Sequence, residues 1–83
     1  MTLINQIKSA TTRKELREAF GETAIEVRFT LLTNAVDSLN KEIESDIATG
    51  DVNVALFKMS QVVMLEDEKH VVERVMLKQR VVL

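Results

Sequence analysis

Between Ile25 and Ile47 the chain places an apolar residue at Ile25, Phe29, Leu32, Val36, Leu39, Ile43 and Ile47. The steps are four, three, four, three, four and four, so all seven side chains fall along one stripe of an α-helix. Thr, Asn, Asp, Ser, Lys and Glu fill the intervening positions, which suits the opposite side to water. A seam this regular commits the chain to packing helices against one another. An all-α fold is the expectation that follows from this seam.

The punctuation agrees. The chain has no Pro, and its two glycines, Gly21 and Gly50, are the positions where a helix is most readily closed. Leu3, Ile4 and Ile7 predict a short amphipathic helix over residues 2–10. Thr12 with Glu15 three residues later is a capping-box pattern that opens a second short helix carrying Leu16, Ala19 and Phe20. Thr23 with Glu26 repeats the pattern and predicts that the seam helix begins at Ala24. That helix is expected to end at Ala48-Thr49-Gly50, with Asp51 as N-cap of the next. So short a linker forces a reversal, and the two long helices, 24–49 and 51–80, should form an antiparallel hairpin. The whole chain reads as one helical domain.

The last helix is harder to read. Its first half offers a stripe of Val52, Ala55, Leu56, Met59, Val62 and Val63, whose continuation lands on the polar residues Glu66, His70 and Glu73. Beyond these, the apolar residues Val71, Val72, Val75, Met76 and Val82 lie on nearly the other side, at about 100° of rotation per residue. Phe57, Met64 and Leu65 lie near that second face. The reading is therefore a stripe that changes sides across Glu66–His70: the helix breaks there, or its halves pack on different bodies, the alternative being a solvated kink with both halves in one monomeric core. A homodimer in which two hairpins make a bundle of four long helices fits the second case. The Val-Val pairs weaken helix propensity near the end, where Arg80-Val81-Val82-Leu83 reads as frayed or extended.

On the back of the seam helix, Val27 and Leu31 are expected to receive Leu3, Ile7, Leu16 and Phe20 from the short helices. A loose cover would leave a groove for a partner helix. Met59, Met64 and Met76 add adaptable apolar surface. The residues expected to bind a partner are Val27, Leu31, Phe57, Met64, Val71 and Val75.

Composition narrows the chemistry. With no Cys, the chain has no disulfide, no thiolate metal ligand and no cysteine nucleophile. No Gly-rich phosphate loop is present, and nothing marks Ser9, Ser38, Ser45 or Ser60 as a nucleophile. Neither enzymatic activity nor a cofactor is expected. The one histidine, His70, follows Glu66 by four residues and Asp67 by three, the carboxylate-x-x-His spacing of di-metal helical bundles. A metal site there would need two chains, with Glu42 or Glu44 completing it.

Lys8, Arg13, Lys14 and Arg17 make the N-terminal segment basic, and a small dimeric nucleic-acid-binding regulator using them is an alternative reading. A helix-turn-helix around Gly21 fits badly. Arg17 stands where a small residue belongs, and Glu22 and Glu26 would meet the phosphates. No apolar run reaches the roughly 20 residues that span a bilayer, and Asn5, Gln6 and Lys8 interrupt any signal-peptide core. The expected setting is cytoplasmic. In being compact, helical and free of Pro and Cys, the chain resembles accessory proteins of phages and plasmids. The expected role is protein–protein association by a small helical adaptor, chaperone or inhibitor.

Overall fold

The computed structural model describes residues 2–81 and builds them into four helices: α1 (Leu3–Ser9), α2 (Arg13–Phe20), α3 (Ile25–Ala48) and α4 (Val52–Val81). The expected all-α architecture, two short helices followed by a long antiparallel hairpin, is what the chain adopts. The hairpin gives the molecule its length, 52 Å against 24 and 17 Å in the other directions.

Local chemistry sets each boundary. The Thr2 hydroxyl accepts from the Asn5 amide, and the Thr12 hydroxyl accepts from the Glu15 amide at 3.1 Å. The return arm of the capping box reaches one residue further back than expected: the Glu15 carboxylate accepts from the Thr11 amide and hydroxyl. Gly21 closes α2 with φ +54°. The second capping box does not form. Ala24 is the N-cap of α3 and makes no side-chain cap bond, while the Thr23 hydroxyl donates to the Phe20 carbonyl. Arg28 instead reaches back and donates to the Thr23 and Gly21 carbonyls at 2.7 and 2.8 Å, tying the connection to the first turn of α3. At the hairpin turn, the Asp51 amide donates to the Asp46 carbonyl and the Gly50 amide to the Ile47 carbonyl, a Schellman closure around Gly50 at φ +85°.

The core gathers Ile7 and Ala10 from the α1 end, Leu16 and Phe20 from α2, Leu32, Ala35, Val36 and Leu39 from α3, and Leu65 and Val72 from α4. The seam of α3 is buried from Leu32 to Ile43 and half-buried at Ile25 and Phe29. Ile47 departs from it, being 52% exposed in the turn before the reversal. The short helices cover the back of α3 only in part: Leu31 is half-buried against the core that α1 and α2 share with both hairpin helices, while Val27 remains 47% exposed.

The change of sides read for α4 is overturned. α4 runs unbroken from Val52 to Val81 through Glu66–His70. The positions it turns inward are Ala55, Lys58, Val62, Leu65, Lys69, Val72 and Met76, all buried or half-buried. Their steps alternate three and four, the heptad seam of a helix packed along a partner. Two of the seven are lysines, which is why apolar periodicity missed the seam. Each lysine is matched by a side chain of α3. The Lys58 ammonium is held by Asp46 at 2.8 Å and Glu42 at 3.2 Å, and that of Lys69 sits 5.3 Å from the Phe29 ring centre. Val82, read as part of the second face, lies outside the described residues, as does Leu83.

Candidate functional site

Because α4 buries this seam, most of the apolar stripe expected in its first half lies elsewhere. Val52, Leu56, Met59 and Val63 are 55%, 54%, 38% and 60% exposed. Their steps of four, three and four put them on one stripe of α4, beside the buried seam and facing water. Val54 and Phe57 are exposed on the same segment, and Ile47 is exposed just before the turn. Of the residues read as the core stripe of this half, only Ala55 is buried and Val62 half-buried.

The segment also lacks charge. Across the 14 residues from Val52 to Leu65 the only ionisable side chain is Lys58, and it points inward. Its carboxylate partners raise the Lys58 pKa above the ordinary 10.5, Asp46 more than Glu42 and against the opposing effect of desolvation. Glu42 accepts from Lys8 of α1 as well as from Lys58. Its pKa falls below 4.5, chiefly through the bond to Lys8, with desolvation opposing and Lys58 adding to the shift. Lys8, Glu42, Lys58 and Asp46 thus form one ion-pair cluster that links α1, α3 and α4 and leaves no free charge on the outer stripe.

Two further polar pairings seat the short helices. The Gln61 side chain, 8% exposed, donates to the Lys8 carbonyl at 2.8 Å, satisfying an acceptor that the end of α1 leaves unpaired. Glu68, 5% exposed, receives the Arg17 guanidinium in a two-pronged contact at 3.0 and 3.2 Å. That pairing raises the Arg17 pKa, through the hydrogen bond first and the charge of Glu68 second.

Against this geometry the candidate residues sort clearly. Phe57 is exposed and Met64 half-buried, and both line a small cavity of about 80 Å³ with Thr11, Ser60 and Gln61, on the side of α4 that meets the short helices. Val27 and Val75 are exposed, and Leu31 and Val71 half-buried. Leu31 packs against the core, so the six do not form one exposed face. Of the basic set, Lys8 pairs with Glu42, Arg13 with Asp67 at 3.5 Å and Arg17 with Glu68, while Lys14 is exposed. Three of the four cations expected to meet phosphates are therefore engaged within the fold. Asp67 faces Arg13, with Glu66 and His70 exposed, and among the described residues no group of three or more His, Asp or Glu is placed to hold a metal ion.

The face that sequence reasoning missed is Val52, Leu56, Met59 and Val63. A usable signal was present: residues 52–65 carry apolar side chains on every side of the helix, more than one hairpin partner can bury. Among the described residues, no helix is long and apolar enough to cross a membrane. No family model matches the chain, and neither the curated proteins nor the solved structures hold a match to it.

Proposed function

We propose that the protein is a non-enzymatic protein–protein interaction module that works through the outer face of the first half of α4. The observation that supports this reading is an exposed stripe, Val52, Leu56, Met59 and Val63, on a 14-residue segment whose one charge is sequestered. Isolated apolar residues are ordinary on a protein surface, but a contiguous row without charge is a binding or aggregation surface. The helix spacing of the row suits a second helix laid along it. The ion-pair cluster behind it fixes α4 against α3 and α1, so the row is presented on a rigid support.

The reading is tested by placing a photo-crosslinking residue at Leu56 and, as control, at the exposed Lys41 of α3, in cells of the source. Adducts at position 56 and none at position 41 support the proposal. No adduct of any mass at position 56, or equal adducts at both, overturns it.

A further inference from the structure

Resting on that reading of the α4 face, we infer that its occupant is a second copy of this chain. The two α4 helices lie antiparallel, about a two-fold axis between Leu56 and Met59.

The stripe is its own complement. Read from either end it runs Val, a larger unbranched or γ-branched residue, another such residue, Val. Turning one copy end over end sets Val52 on Val63 of the second copy and Leu56 on its Met59. These pairings match in volume, and volume-matched apolar pairs pack with little strain. The four-three-four spacing supplies the knobs and holes for two such helices.

Charge selects the partner and its direction. A parallel pairing would bring Glu66 against Glu66, two like charges at the edge of an apolar contact. The antiparallel pairing sets each Glu66 past Val52, the first residue of the other α4, at that helix's N-terminal end, and opposes the two helix dipoles. Contact with the outer side of α3 would desolvate Glu26, Asp37 or Glu44, all exposed. The exposed apolar surface of the hairpin tip therefore finds its uncharged counterpart in the same surface of another copy, and such a contact is isologous and closes at two. Lys58 stays within its own cluster, so the association buries no new charge.

The contact row covers about 18 Å of helix, which places it in the small interface class and makes the dimer concentration-dependent. Each chain is folded before it associates, so a face substitution separates assembly from folding.

Sedimentation velocity from micromolar to submillimolar concentration tests the assembly. The wild-type mass should climb from 9.4 kDa toward twice that value. Leu56→Glu should stay at 9.4 kDa with unchanged helicity, because a dimer would hold two desolvated carboxylates and bind about 100-fold or more weakly. Direction is read from single cysteines, the native chain having none. Mixing Val52→Cys with Val63→Cys should give a mixed disulfide. Neither variant should oxidise with itself, because like positions lie about 16 Å apart along the axis and a disulfide spans no more than about 7 Å between Cα atoms.

A wild type that stays monomeric throughout, a dimer untouched by Leu56→Glu, or self-disulfides in place of the mixed one would overturn the inference. Purified monomers together with position-56 adducts to other proteins would sink the self-pairing and leave the interaction reading standing. Position 56 without adducts of any mass would remove both.

Discussion

Leu65 and Leu56 are chemically identical residues nine positions apart on α4, and their truncation separates the buried seam from the outer face. Leu65 is fully buried within the shared core, whereas Leu56 is 54% exposed. Apolar periodicity in the sequence placed Leu56 on a core stripe and Leu65 only near a second apolar face. Leu65→Ala removes buried carbons and leaves a cavity between four helices that close only partly, which costs about 2–5 kcal/mol. In a domain of this size each kcal/mol moves Tm by about 4–8 °C, so a loss of about 3 kcal/mol lowers Tm by roughly 12–24 °C. Leu56→Ala removes carbons that are half in water already and should cost under about 0.5 kcal/mol. The comparison is made by thermal and urea unfolding followed by circular dichroism, extrapolated to low protein concentration where assembly adds nothing to stability. Equal losses for the two variants, or a larger loss for Leu56→Ala, would refute the placement of α4.

Further predictions follow from the core, the turn and the ion-pair cluster. Leu39, 2% exposed in mid-seam, should not tolerate Leu39→Asp; loss of the helical dichroism checks this. Gly50→Ala should lower stability by about 1 kcal/mol in urea unfolding: nothing lies within 4 Å of the added methyl, so the loss is that of holding a non-glycine residue at φ +85°. Glu42 has a depressed folded pKa, so its contribution to stability is present above pH 4.5 and is lost as pH falls through the folded value. Glu42→Gln should flatten that acid limb of the stability curve. Lys58 has a raised folded pKa, so its contribution is present below pH 10.5 and is lost as pH climbs through the folded value. Lys58→Met should flatten the alkaline limb, and unfolding midpoints measured across pH check both.

The degree to which the sequence revealed this fold tracked how each helix meets its neighbours. In α3 the seam positions from Ile25 to Ile43 are all apolar, so period alone located them. Ile47, in the last turn of α3 beside the reversal, continues the period but is 52% exposed. In α4 the inward positions include Lys58 and Lys69, with Gln61 and Glu68 buried on the side toward α1 and α2. Their partners Asp46, Phe29, Lys8 and Arg17 lie 12 to 53 residues away in sequence. Burial of a polar residue depends on a partner of matching chemistry, and periodicity along one helix carries no record of that partner. The same blindness made the outer row of α4 look like core: a sequence stripe marks where apolar residues align, not which way the helix is turned. Thr23 is not the cap because α3 starts one residue later, with Ala24 at the N-cap, and Arg28 binds the connection instead.

The account stands most directly on α4 crossing Glu66–His70 as one helix, with Glu68 and Lys69 turned toward the rest of the fold and the apolar row before it turned outward. Amide hydrogen exchange resolved by residue measures this. The amides of Glu66 to His70 should exchange as slowly as those of Val62 to Leu65, each held in the ladder of a continuous, packed helix. Rapid exchange confined to those five positions would show a break there, and with it would fall the single seam, the outward row and the interaction face built upon it.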